Sequence, residues 1–136
     1  MKNSYVGIIG FGSQGKRIFS ILKKLKFKNL VIFKINKFYK NKKLYTNNFS
    51  EIKKCDIVFV CSPNNTHFKY LESLEKNIYI FCEKPPVNNI NELNKLKKMN
   101  LNRVYFNYNY RFSEINSSLQ SIKKYNFGKL LYGNIV

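Results

Sequence analysis

The stretch VGIIGFGSQGKRIF, Val6 to Phe19, constrains the fold more than any other part of the chain, because it sets Gly10-Phe11-Gly12-Ser13-Gln14-Gly15 between two patterned segments. Before it, Tyr5 to Ile9 is a short apolar run closed by Gly10, the pattern of a strand buried on both faces. After it, Ile18, Ile21, Leu22 and Leu25 recur at the spacing of an amphipathic helix over Gln14 to Leu25, with Lys16, Lys23 and Lys24 on the wet side. Leu30 to Ile35, LVIFKI, then reads as a second strand. Strand, glycine turn, helix and strand within about thirty residues is the context in which G-x-G-x-x-G cradles a dinucleotide. Gly10 would permit the tight turn, Gly12 the approach of a pyrophosphate, and Gly15 close packing of helix on strand. The N–H groups of Ser13, Gln14 and Gly15 would face the negative charge.

The alternation continues along the chain. Asp56 to Cys61 reads as a strand, Thr66 to Lys76 as a helix with Phe68, Leu71 and Leu74 inward, and Ile78 to Cys82 as a strand. Asn91 to Met99 is helical on a Leu93 and Leu96 stripe, Val104 to Tyr108 is a strand, and Ile115 to Lys124 is a final helix. The Lys- and Asn-rich Lys37 to Asn48 reads as an irregular loop, with the crossover after the second strand trimmed. Such alternation predicts an α/β fold: a Rossmann-type, doubly wound, mostly parallel sheet in three layers.

At 136 residues the chain has room for one domain of ordinary size. Its 44% hydrophobic content, with 12 Phe and 10 Tyr, supplies the apolar surface of a globular core. The net charge of +18 raises a basic nucleic-acid binder as one reading. Against it, the lysines are scattered through every segment beside abundant Asn, which reads as coding bias, and Arg stands only at Arg17, Arg103 and Arg111, poor provision for base-edge readout. Cys55, Cys61 and Cys82 show neither a disulfide framework nor zinc-ligand spacing, so reduced thiols, no metal and a cytoplasmic setting are expected. No signal peptide or membrane-length run is visible.

A dinucleotide unit ordinarily places Asp or Glu about twenty residues past the glycines, where its carboxylate accepts the ribose hydroxyls. Here Asn36 is followed by Lys37. An amide beside a cation anchors the ribose diol less strongly and tolerates a 2′-phosphate better, tilting an NAD or NADP site toward NADP. Asn36 as a plain loop residue is the other reading.

Four blocks, GIIGFGSQGKR, DIVFVCSPNNTHF, CEKPP and FNYNYRF, occur in an order and spacing that resembles the N-terminal half of the Gfo/Idh/MocA oxidoreductases. The resemblance implies hydride transfer between nicotinamide and a hydroxyl carbon of a sugar, nucleotide sugar or polyol. It places Cys61, Ser62, Pro63, Asn64 and Asn65 along the nicotinamide half of the cofactor, with Thr66 capping the next helix. His67, the only histidine, joins this cofactor turn; a catalytic role is one reading, but packing at the helix start is favoured, since the resemblance implies that the general-base histidine lies in a second domain. Lys84 takes the catalytic role, its ammonium holding the substrate hydroxyl and easing proton removal. Glu83 is its hydrogen-bonding neighbour and Pro85 fixes the turn; alone, the triplet reads first as an exposed strand-end pair before a Pro turn, and the matching blocks around it reverse that preference. Asn109 and Arg111 are candidates for polar or anionic groups, with Arg111 as a surface or interdomain ion-pair residue a second reading. Glu114 stands where the family often has Pro, which leaves the following turn open.

The same resemblance divides the chain into a dinucleotide domain, 1–128, and the start of an α+β substrate domain, 129–136; GKLLYGNIV, 128–136, looks like its entry strand, cut short. The resemblance also implies that relatives of full length form homo-oligomers, mostly through that second domain. An NAD(P)-binding module without catalysis is the alternative from another class.

Overall fold

A computed structural model of the chain describes residues 3–35, 43–108, 113, 114 and 118. Six strands, β1 (Tyr5–Ile9), β2 (Asn29–Phe33), β3 (Tyr45–Thr46), β4 (Ile57–Val60), β5 (Tyr79–Glu83) and β6 (Val104–Asn107), form one sheet. The order is β3-β2-β1-β4-β5-β6 and every pairing is parallel. Four helices connect them: α1 (Ser13–Lys24), α2 (Phe49–Ile52), α3 (His67–Ser73) and α4 (Ile90–Leu96).

The apolar run of β1 makes it the seam of the sheet. Val6 pairs with Leu30 on one side and Ile57 on the other, and Ile9 with Phe33 and Val60. Side chains of a strand alternate between faces, and here they feed two cores. Val6, Ile8, Leu30 and Ile32 pack with Leu22 of α1 on one face. Ile9, Phe33, Val58, Val60, Ile80 and Cys82 pack on the other with Ile52 of α2, Phe68 and Leu71 of α3, and Leu96 of α4. The helices thus lie on both sides of the sheet, giving the three layers expected of a doubly wound fold.

The structure shifts three details. Within the helix predicted over Gln14 to Leu25, Ile21 is 42% and Leu25 54% exposed. The buried line runs through Gly15, Ile18, Phe19 and Leu22 instead, itself a three-and-four spacing, because the helix lies on the sheet at its glycine. The stretch read as an irregular loop contains β3, which is two residues long and joins β2 through Ile32↔Tyr45 and Phe33↔Thr46. A two-residue strand is too short to show alternation. Phe49 to Ile52 forms a helical turn that periodicity does not reveal, opened by the Asn48 side chain accepting the Ser50 N–H at 3.0 Å and anchored by fully buried Ile52. The predicted helix at 115–124 and the entry strand at 129–136 lie, apart from Ser118, outside the described residues.

Candidate functional site

With all strands parallel, their carboxyl ends share one edge, and the strand order reverses between β1 and β4. Loops leaving the sheet in opposite directions open a crevice at that point, where sheets of this kind take ligands. Gly10 leaves β1 with φ +87°, a conformation that L side chains rarely adopt, and a Cβ there would lie 2.7 Å from the Ser62 backbone. Its N–H bonds the Phe33 carbonyl at 3.2 Å, so the turn is tied to β2. At Gly15 a Cβ would strike the Gly10 carbonyl oxygen, so α1 sits as close to the turn as a backbone can.

Gly12 is different: a Cβ there meets nothing within 4 Å. It is the N-cap of α1, and no side chain caps it. The first internal rung is Lys16 N–H to the Gly12 carbonyl at 3.0 Å, so the N–H groups of Ser13, Gln14 and Gly15 fall outside the helical ladder. Phe11 turns its ring away into edge-on contacts with Phe19 and Tyr45, centroids 5.6 and 5.8 Å apart, and offers the turn its backbone.

The turn after β4 carries Cys61, Ser62 and Pro63 into a 3-10 turn, Asn64–Thr66, that precedes α3. Asn64 and Asn65 are exposed. Thr66 does not cap the helix with its side chain; the hydroxyl bonds Ser62 Oγ and the Pro63 carbonyl, each at 2.7 Å, because the 3-10 turn folds it back over the loop. Burial, and secondarily Glu83, pushes the Cys61 thiol up to about 12, so it is a neutral wall and not a nucleophile. His67 is fully buried, and both ring nitrogens face backbone carbonyls.

At the end of β5, Glu83 accepts from Asn107 Nδ2 at 2.8 Å, its register partner on β6. The sequence suggested Lys84 as the Glu83 partner; cross-strand register supplies Asn107 instead. Lys84 is exposed, and its ammonium makes no hydrogen bond or ion pair among the described residues. The Lys84–Pro85 peptide is cis. Asn36, Lys37, Asn109 and Arg111 lie outside the described residues.

Sequence reading missed what the strand register assembles. Phe59, Phe81 and Tyr105 stand abreast on β4, β5 and β6, their rings stacked at successive spacings of 5.1 Å. With Cys61, Glu83 and Asn107 they line a cavity of about 300 Å³ on the α1 face of the sheet. Aromatics at matching strand positions were the signal, legible only once the register is known.

A parallel six-strand sheet whose glycine turn meets a helix start at the reversal of strand order defines a Rossmann-type ligand-binding domain. The chain belongs to the Gfo/Idh/MocA group: the profile of an oxidoreductase family with NAD-binding Rossmann fold matches residues 5–103. Solved structures share the fold. The WlbA (WbpB) dehydrogenase of Thermus thermophilus, solved with NAD and UDP-GlcNAcA, superposes with TM-score 0.66 at 16% identity over 87% of this chain and 46% of its own. The MviM dehydrogenase of Clostridium difficile gives 0.69 at 22% identity, over 88% and 44%. The UDP-N-acetylglucosamine 3-dehydrogenase GnnA of Acidithiobacillus ferrooxidans gives 0.66 at 17%, over 89% and 43%. At such identities the likeness establishes the fold alone. The chain spans less than half the length of these structures. Comparison with curated protein sequences found no match. Among the described residues, no helix is long and apolar enough to cross a membrane.

Proposed function

We propose that the chain is the cofactor-binding part of an NAD(P)-dependent dehydrogenase acting on a hydroxyl carbon of a sugar, nucleotide sugar or polyol. The observation that carries this reading is the open space at Gly12, beside uncapped N–H groups at the reversal of strand order. A pyrophosphate needs both: backbone it can approach and donors aimed at its charge. The nucleotide sugar bound by the Thermus protein and named for the Acidithiobacillus enzyme favours that substrate class. In this reading residues 1–128 hold the cofactor, 129–136 open an α+β substrate domain through which copies assemble, and the free thiols suit the cytoplasm.

Nicotinamide, when bound, supplies or accepts the hydride. The chain's own share is to hold and orient. Gly10 to Gly15 receive the pyrophosphate, Asn36 and Lys37 meet the adenosine ribose, and the loop from Cys61 to Asn65 borders the nicotinamide half. Glu83 and Pro85 shape the turn that presents Lys84, whose unengaged ammonium holds the substrate hydroxyl and lowers the barrier to losing its proton. Asn109 and Arg111 steady polar or anionic substrate groups.

Calorimetric titration of the chain with NAD and NADP tests the reading: both are expected to bind, NADP the more tightly. Asn36→Asp is expected to move the balance toward NAD by roughly 1–2 kcal/mol, through a charge-assisted hydrogen bond to the diol and repulsion of the 2′-phosphate. Absence of binding by either cofactor to folded chain would sink the reading, and an unmoved ratio would remove residue 36 from the ribose.

Lys84→Ala, made in a chain that carries a substrate domain, is expected to lower turnover by roughly 10²- to 10⁴-fold with little change in cofactor affinity. Steady-state kinetics beside a binding titration separates the two quantities. Unchanged turnover would take Lys84 out of the chemistry.

A further inference from the structure

The chain's one histidine is built into this edge in a way hydride transfer does not use. His67 opens α3 with 0% of its surface exposed. Its Nδ1 lies 2.8 Å from the Pro85 carbonyl oxygen and its Nε2 lies 2.8 Å from the Ser62 carbonyl oxygen. Ser62 belongs to the turn after β4 and Pro85 to the turn after β5, so one rigid ring spans the two loops that present Cys61 to Asn65 and Glu83 to Lys84. We propose that His67 is a positioning residue, a clasp that fixes the separation of these loops and so the shape of the cofactor edge. The inference rests on reading that edge as the NAD(P) site.

The chemistry of the ring adds a consequence. Both partners are acceptors, and a neutral imidazole carries one N–H, so it can donate to only one carbonyl. A ring protonated on both nitrogens donates to both. With both contacts at 2.8 Å, the clasp holds both loops when each ring nitrogen carries a proton.

The test is NAD titration of the chain and of His67→Phe, which keeps a ring and removes both donors. The variant is expected to bind roughly ten- to a hundredfold more weakly. His67→Gln, whose amide can donate to one carbonyl, is expected to restore part of the affinity. Wild-type affinity in folded His67→Phe overturns the clasp. Should His67→Phe not fold, nitrogen NMR of the wild-type ring decides, unambiguous because the chain has 1 His. Two slowly exchanging ring N–H protons support the clasp; one proton, or free exchange with water, overturns it. If wild-type chain binds no NAD, the cofactor reading fails, while the ring signals still decide whether the loops are clasped.

Discussion

Replacing Gly12 by valine is expected to abolish measurable NAD(P) binding while leaving the domain folded. The backbone at Gly12 has φ −75° and ψ −158°, an extended conformation open to any L residue, and a Cβ there touches no protein atom within 4 Å. The fold therefore loses little beyond the preference of an N-cap for Gly over Val, about 1 kcal/mol. The added isopropyl group stands where a pyrophosphate must reach the start of α1, and the backbone cannot retreat because Gly10 and Gly15 are already in contact. Overpacking of this kind costs about 1–3 kcal/mol even in cores that can adjust, and a ligand pressed against fixed backbone loses more. Calorimetry gives the affinity and a thermal melt the integrity of the fold. Unchanged affinity in the folded variant would remove the cradle from the account, and a collapse of the melt would make Gly12 a structural glycine.

Gly15→Ala is expected to do the opposite and damage the fold itself. Alanine in place of glycine within a helix ordinarily stabilises by about 1 kcal/mol. Here the new methyl would meet the Gly10 carbonyl oxygen, with the carbonyl carbon 3.1 Å away. Gly10 cannot yield, because its φ of +87° and its bond to the Phe33 carbonyl hold the turn in place, and the Ser62 backbone lies behind it. The helix must lift from β1, opening the core around Ile8 and Leu22. A loss of about 3 kcal/mol or more outweighs the propensity gain and is a large share of the roughly 5–15 kcal/mol that holds a domain together. The melting temperature should fall by on the order of 10 °C. An equal or higher melting temperature would show that α1 has slack at Gly15.

These two glycines mark how far the sequence speaks. Strand, turn, helix and strand around Gly10 to Gly15 are legible because local periodicity and glycine placement carry them, and the doubly wound class follows from alternation downstream. The orientation of α1 is less so. Ile21 and Leu25 look as apolar as Ile18 and Leu22, and only the contact at Gly15 tells which line of the helix meets the sheet. The edge residues after β1, β4 and β5 were named from their blocks, and the parallel order brings them together. Asn107 beside Glu83 and the stack of Phe59, Phe81 and Tyr105 depend on register between strands far apart in sequence, which no pattern along one strand encodes. The two carbonyls on His67 are a stronger case, since their donors and acceptors lie 5 and 18 residues apart and neither acceptor is a side chain.

The strand order also sets what holds the two halves of the sheet together. β1 precedes the other described strands in the chain and is an interior strand with β2 and β4 on its two flanks. From this seam the sheet extends through β2 to β3 on one side and through β4 and β5 to β6 on the other. Loss of β6 would trim one margin, but loss of Tyr5–Ile9 would remove five pairings to β2 and four to β4 at once. Tyr5–Ile9 is thus the joint on which both halves hang, and a chain lacking it would hold two strips of sheet with nothing between.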